Sequence, residues 1–487
     1  MDWLAAIADD ISASDPDPSK TLDLLEKIET GLASVGLTIN RSKSELIRSG
    51  PQPQHIIDRC ASLGIKIIDA DGDVPVRILG SPFGNAAAIE AYCGKKIEAE
   101  ASMFKHMKFL HPQLGYSMLR ISGIPSWRFL ASTTPSLTNV SENFDSLTKN
   151  CLCEMLKCQP DDIQSHWLGS SAGAGLTPYA EIGNDLYAES VATCAEIEAT
   201  GIAKRPTKST NEKYEARLRA TFPDLSDADA TSSIGNNASR WLRFLSHDHG
   251  RMRPGEFIDA LRLRCRIPLV PGPLTCFCGT PLDADHRAST HLLRCNHVRG
   301  ETWSNRHDAT CGVIARSIAS AGCHFIREPR RYAYGDASAK RPDITAFLVG
   351  QTIALDVTIV TPEATPGKAA STAAAEKQEK HAAAVEERGD EFLPLAFESG
   401  GHADKCFETL CRLVGSSAQP WAAQAIQREL RHGVSTAIAA GNARIVRMGI
   451  ERLRRTASYT FSGPSTLGSA PRAPTAGSAF GSATHAA

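Results

Sequence analysis

Two aspartates in the last third of the chain, Asp343 and Asp356, are the residues whose surroundings point most directly to chemistry. They belong to residues 340–360, where two runs rich in β-branched side chains predict neighbouring strands. Acidic residues near strand ends usually face solvent. Asp356, however, interrupts an apolar run, where an ionised carboxylate costs several kcal/mol unless it is paired or bound to metal. The sequence therefore favours a partnered carboxylate at this position.

The turn between the two runs decides how these carboxylates meet. Gly350-Gln351 predicts a two-residue hairpin turn with glycine at its first position. In that register Thr345 lies opposite Asp356, and Asp343 is its diagonal neighbour on the same face, with the Cβ atoms of the two aspartates about 7 Å apart. Two carboxylates so placed can share Mg²⁺, a hard cation that activates water and stabilises a phosphorane-like transition state.

A second set of residues has the types and spacing of zinc ligands. It consists of Cys276, Cys278, His291 and Cys295. Two cysteines on a tight turn and a His/Cys pair at i and i+4 on a helix can surround zinc tetrahedrally, and four protein ligands indicate a structural role. His286 and His297 are substitutes if His291 faces away.

Composition sets the class of protein. The 487 residues are 42% hydrophobic, which is enough for two to four domains with their own cores. No run of about 18 apolar residues predicts a membrane span, and the first residues are unlike a secretory signal. The 14 irregularly spaced cysteines do not form a secreted disulfide framework. We therefore expect a soluble intracellular protein with mostly buried thiols and no membrane partner.

Charge is unevenly distributed along the chain. The net charge is −1, but residues 240–341 contain 17 Lys and Arg against 9 Asp and Glu. A local basic segment can supply phosphate contacts even when acidic helices elsewhere cancel it in the sum.

The elements that must position these residues follow one another from the N-terminus. A short buried strand at residues 4–7 runs into Asp9-Asp10, and a helix is predicted over residues 21–35. Apolar residues at three and four spacing predict helices over residues 86–194. Residues 201–227 are polar and predict a linker, and residues 240–245 and 257–266 predict amphipathic helices whose arginines could share a face. The Gly/Ser/Pro/Ala/Thr-rich tail after Ser462 predicts disorder.

Three N-terminal motifs together resemble the second half of a reverse transcriptase palm from non-LTR retrotransposons. They are the x-x-Asp-Asp box at residues 7–10, Gly-Leu-x-x-Asn-x-x-Lys at residues 36–43 and Leu-Gly-x-Pro-x-Gly at residues 79–84. The resemblance implies that Asp9 binds metal with Asp10 beside it, that Lys43 approaches the phosphates of an incoming nucleotide, and that the helical region is the thumb. Ile7 replaces the aromatic residue of the box, and the earlier metal-binding strand and the fingers would lie before Met1. We therefore expect that this chain alone does not polymerise, its polymerase activity having been lost through N-terminal truncation.

A second ordered set resembles the C-terminal part of site-specific non-LTR retrotransposons, where a zinc knuckle precedes a restriction-endonuclease-like domain that nicks target DNA. The set comprises Cys-x-Cys, His-x-x-x-Cys, Arg-His-Asp at residues 306–308, Glu-Pro at 328–329, Arg-Pro-Asp at 341–343 and a second acidic strand. The resemblance implies that Asp343 and Asp356 hold the metal. It also implies DNA and RNA as partners and a nuclear location.

The catalytic lysine has two candidates. Thr358 stands where this nuclease fold usually has lysine, and the resemblance implies that the lysine comes from the next helix, which offers Lys377 and Lys380. Lys380 is favoured because its neighbour His381 stands where the family usually has an aromatic residue, although lysines on such a helix ordinarily face solvent. Glu398, at the end of a further predicted strand, is a candidate neighbour of the site. Expected phosphate contacts come from Arg330, Arg331 and Arg341.

The predicted fold is a multidomain α/β protein. Its parts are the C-terminal part of a palm (1–85), a helical thumb (86–200), a linker with basic helices (201–270), a zinc knuckle (271–300), a restriction-endonuclease-like domain with a mixed central sheet (301–461) and a disordered tail (462–487).

The expected activity is Mg²⁺-dependent hydrolysis of a DNA phosphodiester. One alternative is a remnant of a reverse transcriptase that binds nucleic acid without cutting it, which salt-dependent binding without cleavage would favour. Another is a cellular junction-resolving nuclease on a similar sheet, which preferential cutting of branched DNA would favour. The sequence leaves the oligomeric state open.

Overall fold

The computed structural model describes residues 3–7, 10–73, 75–135, 137–200, 209–243, 251–298, 301–329 and 341–461. The strands are β1 (Trp3–Ile7), β2 (Asp10–Ser14), β3 (Glu45–Arg48), β4 (Lys66–Asp69), β5 (Val76–Ile78), β6 (Ser81–Phe83), β7 (Leu274–Thr275), β8 (Pro281–Leu282), β9 (His324–Arg327), β10 (Ile344–Leu348), β11 (Gln351–Val360) and β12 (Glu391–Glu398). The first eight helices are α1 (Pro18–Ser34), α2 (Gln54–Leu63), α3 (Ala86–Met107), α4 (Pro112–Met118), α5 (Ile124–Thr133), α6 (Thr138–Leu156), α7 (Ser165–Gly169) and α8 (Tyr179–Thr200). The others are α9 (Thr210–Thr221), α10 (Ala228–Ser233), α11 (Pro254–Arg264), α12 (His286–Arg294), α13 (Glu301–Ser320), α14 (Lys368–Glu386), α15 (Lys405–Ser417) and α16 (Pro420–Phe461). The combination of many helices with small sheets agrees with the predicted multidomain α/β class.

The N-terminal part is built from small two-stranded sheets. β1 and β2 form an antiparallel hairpin, β3 and β4 pair in parallel through α2, and β5 and β6 form a second antiparallel pair. Leu22 of α1, Leu46 of β3 and Ile56 of α2 lie in one small core. The predicted strand at residues 4–7 and the helix predicted over residues 21–35 correspond to β1 and α1.

A large helical core extends from α3 to α11. Trp127, Phe144 and Trp167 are almost completely buried in it, and the rings of Trp127 and Phe144 stack with centroids 4.9 Å apart. Residues 209–227 belong to this core and differ from the linker predicted there. Helix α9 opens with a capping box between Ser209 and Glu212, and its apolar face enters the core.

The arginines at residues 257–266 were predicted to share a surface face, and the position of Arg264 differs from that prediction. Arg264 is buried and donates to the carbonyl oxygens of Gly173, Ser171 and Ser233 at 2.7 to 2.9 Å, as well as to the hydroxyl of Ser239. Burial lowers its pKa to about 10, so it stays charged at neutral pH. Arg264 therefore joins three chain segments of the helical core.

Replacing Arg264 with methionine is expected to reduce the free energy of unfolding by about 3 kcal/mol or more. The substitution keeps most of the apolar stem but leaves three carbonyl groups, of which that of Gly173 is buried, without their donor. Urea unfolding measures the effect. The exposed Arg287 provides the control, because Arg287→Met should change stability by no more than about 0.5 kcal/mol. Equal effects of the two substitutions would contradict the role of Arg264.

The C-terminal part contains a mixed four-stranded sheet of order β12-β11-β10-β9. β10 is antiparallel to both of its neighbours, β9 and β11, whereas β12 is parallel to β11. A parallel pair needs a crossover connection, which α14 supplies. This sheet agrees with the mixed central sheet predicted for residues 301–461.

Side chains of alternate residues cover the two faces of this sheet. One face, with Ile353, Leu355 and Val357, packs into the core made with α13, α15 and α16. The other face, with Ala354 and Ala396, packs against α14. Asp356 belongs to the α14 face, because it lies between Leu355 and Val357.

Helix α16 contributes to three hydrophobic cores in succession. Its first part supplies Ile426, Leu430, Val434 and Ile438 to the core of the mixed sheet. Its middle supplies Ala439, Ala440 and Ala443 to the helical core, and its last part supplies Val446, Ile450 and Leu453 to a core around β7, β8 and α12. With 42 residues the helix is about 63 Å long.

None of the described helices combines the length and apolar character needed to cross a lipid bilayer.

Candidate functional site

The hairpin that carries the two aspartates turns at Val349-Gly350, one residue earlier than predicted. Leu348 pairs with Gln351, and Gly350 is the second turn residue, with a φ of 80° that favours glycine. Ala354, and not Asp356, is therefore opposite Thr345. The register therefore differs from the prediction by two residues, and the ladder ends at Ile344 and Leu355. The backbone N–H of Asp343 donates a 2.9 Å hydrogen bond to the carbonyl oxygen of Leu355, so Asp343 does not continue the ladder opposite Asp356.

Asp343 lies immediately before β10, where its carboxylate bridges a strand and a helix. Its Oδ2 accepts a 2.7 Å hydrogen bond from the backbone N–H of Val357 and lies 3.1 Å from Nε2 of His307 on α13. The same Nε2 atom is 3.1 Å from the carbonyl oxygen of Val357. The His307 imidazole therefore lies between two oxygen atoms at the end of the sheet.

Asp356 is paired with a lysine on the covering helix. Nζ of Lys377 is 2.5 Å from Oδ2 of Asp356, and Nε2 of His381 is 4.0 Å from the same atom. Asp356 and His381 are only 4% and 3% exposed, whereas the Lys377 side chain is 27% exposed. Lys380, the favoured candidate, is exposed, so the lysine that the structure brings to the carboxylate is Lys377.

The charges of these groups are coupled. Burial raises the pKa of Asp356, and the neighbouring charge of Asp343 raises it further, while Lys377 opposes both effects. Burial also opposes the ionisation of Asp343, but the hydrogen bond and charge of His307 outweigh it and lower the pKa. The hydrogen bond to Asp343 in turn raises the pKa of His307 to about 11. At neutral pH the cluster thus holds Asp343 and His307 as an ion pair.

Glu398 does not belong to this cluster, although the sequence suggested it as a neighbour. It is completely buried at the end of β12, where it pairs with Val360. Asp356 pairs with Pro394, four residues earlier, so Glu398 lies about 13 Å further along the same face.

The four predicted zinc ligands converge. All their ligand atoms lie within 4.8 Å of one another. Sγ of Cys276 is 3.6 Å from Sγ of Cys295, and Sγ of Cys278 is 3.3 Å from Nε2 of His291. Tetrahedral zinc with ordinary bond lengths separates its ligand atoms by about 3.6 to 3.8 Å. The donor set and the spacing therefore fit zinc.

Local structure explains why these side chains meet. β7 and β8 form a short hairpin whose turn, closed by the Gly279 N–H to Cys276 carbonyl bond of 2.8 Å, presents both cysteines. Helix α12, capped by Asp285, places His291 and Cys295 one turn apart. Burial raises the pKa of Cys276 to about 11, whereas hydrogen bonds from Thr280 lower that of the exposed Cys278 to about 6.

The substitute histidines have other environments. His286 contacts a guanidinium nitrogen of Arg266 at 3.2 Å, and burial lowers its pKa. His297 is exposed, with Nδ1 4.0 Å from Sγ of Cys295. His291 is therefore the histidine of the cluster.

The remaining predicted residues are spread over the chain. Asp9, Arg330 and Arg331 lie outside the described residues, and only the backbone of Asp10 is described, at the start of β2. Lys43 is exposed in a 3₁₀ turn before β3. Arg341 forms an ion pair with Glu328.

His307 is the functional candidate that the sequence reasoning did not single out as a ligand. It lay in the Arg-His-Asp motif at the start of the predicted helix, and helical spacing places Cys311 one turn further on the same side. The signal that could have found it is the His-x-x-x-Cys spacing, which residues 307–311 share with residues 291–295.

No protein-family model matches this chain, and none of the curated proteins matches it.

Proposed function

We propose that the C-terminal part of this protein is a Mg²⁺-dependent DNA endonuclease that nicks one strand, in a protein derived from a non-LTR retrotransposon. The observation that carries the proposal is the 2.5 Å contact between Lys377 and Asp356 at the end of the mixed sheet, where the nearby charge of Asp343 also raises the pKa of Asp356. Two carboxylates from neighbouring strands and one lysine from the crossover helix are the groups that phosphodiester hydrolysis requires. The order of motifs from the zinc cluster to this hairpin supports the retrotransposon origin.

The oxygen atoms of the cluster suit a hard cation. Oδ2 of Asp343 and the carbonyl oxygen of Val357 both lie 3.1 Å from a single nitrogen, that of His307, so they already converge on one positive group. Asp356 contributes a buried carboxylate on the same strand as Val357. Magnesium prefers such oxygen ligands and, when bound, would lower the pKa of a coordinated water and offset the charge that develops on the phosphate.

The residues of the chain have distinct roles in the proposed reaction. Asp343 and Asp356 would supply the negative charge that holds the cation. Lys377 is positive and partly exposed, so it can orient the attacking water or stabilise the charge on the phosphate while it remains in contact with Asp356. His307 fixes the carboxylate of Asp343 by the 3.1 Å hydrogen bond.

A plasmid-nicking assay with the full chain tests the proposal. Wild-type protein is expected to convert supercoiled DNA to the open-circle form with Mg²⁺ and not with EDTA, whereas Asp356→Ala should remain at background. Equal rates for the two proteins would refute the proposal. Because Asp356 is buried, thermal unfolding of the variant is needed to confirm that it is folded.

Binding without cutting is the alternative outcome, and the Lys377–Asp356 ion pair gives it a physical basis, since this carboxylate is already neutralised in the absence of metal. In that case the zinc knuckle and the basic residues would hold nucleic acid. A salt-dependent binding curve together with no nicking would support a non-catalytic role.

A further inference from the structure

A second cluster of metal ligands lies beside the proposed nuclease site. His307 and Cys311 of α13 and Asp343 before β10 have ligand atoms that all lie within 4.8 Å of one another. Sγ of Cys311 is 3.8 Å from Nε2 of His307, and that nitrogen is 3.1 Å from Oδ2 of Asp343. Tetrahedral zinc with these three ligand types requires separations of about 3.3 to 3.6 Å, so these two distances need only a few tenths of an ångström of adjustment.

The ligand types of this cluster differ from those that suit magnesium. A cysteine sulfur and an imidazole nitrogen favour Zn²⁺, Co²⁺ or another thiophilic ion, whereas magnesium takes oxygen ligands. His307 and Cys311 also repeat the His-x-x-x-Cys spacing with which His291 and Cys295 serve the zinc cluster. The same helical spacing thus occurs twice. Each time the His/Cys pair meets ligands from one other segment of the chain, which is residues 276–278 in the zinc cluster and Asp343 in this one.

The cluster is open on one side. Cys311 is completely buried, but the side chains of His307 and Asp343 are 32% and 22% exposed. The carbonyl oxygen of Val357, 3.1 Å from Nε2 of His307, lies next to the three side chains. A metal ion could therefore enter from solvent and complete its coordination with this carbonyl group or with water.

We propose that His307, Cys311 and Asp343 form a second site for a thiophilic divalent cation, which on binding displaces the proton between His307 and Asp343 and the proton of the Cys311 thiol to solvent. The site shares Asp343 with the proposed magnesium site. If the proposed function holds, an ion at this site removes one of the magnesium ligands, and zinc inhibits nicking. The existence of the site does not depend on nicking, because metal content can be measured in a protein without activity.

The primary test counts metal ions. The full chain is saturated with Zn²⁺, freed of excess by gel filtration and analysed by plasma emission spectroscopy. Wild type is expected to hold about two zinc ions per chain, and Cys311→Ala and His307→Gln about one each. Cys323→Ala is the matched control, because Cys323 follows the same helix, is half-buried and lies outside the cluster, so this variant should keep about two.

The chain with Co²⁺ in place of zinc provides a second measurement that separates local from general effects. The difference spectrum between wild type and Cys311→Ala should contain a thiolate-to-cobalt charge-transfer band, while the stronger absorption from the three cysteines of the zinc cluster is unchanged. One zinc ion in the wild type with a full zinc cluster would overturn the proposal, as would two in a folded Cys311→Ala.

The nicking assay then reports on the shared ligand. Wild type should lose Mg²⁺-dependent nicking as Zn²⁺ is added, and Cys311→Ala should resist at the same zinc concentration. Two zinc ions in a protein that never nicks would support the second site and refute the nuclease. Nicking by a protein that holds only one zinc ion would support the nuclease and refute the second site.

Discussion

Replacing Lys377 with alanine is expected to lower the rate of Mg²⁺-dependent nicking by about 100-fold or more. Lys377 is the cation in contact with Asp356, at 2.5 Å, and its removal leaves a buried carboxylate without that partner. Within the described salt bridges, Lys377 is also the only cation that α14 brings to Asp356, because burial lowers the pKa of the more distant His381. Single-turnover nicking of supercoiled plasmid measures the effect on chemistry.

Lys380 supplies a control on the same helix. It is exposed, three residues from Lys377, and Lys380→Ala changes the charge of the protein by the same amount. This variant should retain nicking within about twofold of wild type, because surface charge alone contributes little. A loss in Lys380→Ala with retention in Lys377→Ala would transfer the catalytic role to Lys380, as the sequence first suggested.

Replacing Cys278 with serine is expected to lower the affinity of the zinc cluster by roughly 100-fold or more, since losing a direct ligand should exceed the effect of losing a supporting hydrogen bond. Cys278 is exposed, so the substitution removes a candidate zinc ligand without creating a cavity. The strands β7 and β8 have only two residues each, and their small core cannot be expected to fold firmly without the metal. Competition with a chromogenic chelator measures the affinity.

Hydrogen exchange extends this test to the surrounding structure. Residues 274–295 should lose protection when zinc is removed, and the adjoining part of α16 near Val446 and Ile450 should lose some as well. Cys194→Ser is the control, because Cys194 is exposed on α8 and outside both ligand clusters. Unchanged zinc affinity in Cys278→Ser would mean that Cys278 is not a ligand.

The sequence was sufficient to predict the two neighbouring strands that carry the aspartates, but not to fix the turn between them. Strand pairing has a period of two, so an error of two residues in register leaves the face unchanged. Either Gly350-Gln351 or Val349-Gly350 satisfies the preference of a tight turn for glycine. Only the packing of the neighbouring strands distinguishes them.

The choice between the two lysines depended on the rotation of α14 about its axis. The buried residues Ala373, Ala374, His381 and Val385 define the side that faces the sheet, and Lys377 lies on this side, four residues before His381. Lys380 is about 100° away from His381 around the helix. Because the helix is rich in alanine, its two sides differ little in hydrophobicity. The burial of His381 is what shows which side faces the sheet.

The polar interval at residues 201–227 shows the limits of composition. Its charged residues are typical of a linker, yet the Ser209–Glu212 capping box and the spacing of Tyr214 and Leu218 are the signals of a short amphipathic helix. The apolar groups against which Tyr214 and Leu218 pack depend on the position of α8. Sequence patterns do not specify that position.

The position of α16 at the end of the described chain has a consequence for how the protein is made. Ribosomes release the N-terminal part of a chain first, and domains generally fold as they emerge. Here the mixed sheet, the helical region and the core around β7, β8 and α12 would each wait for side chains from α16, such as Leu430, Ala443 and Ile450. Completion of all three cores would then wait until α16 has emerged from the ribosome.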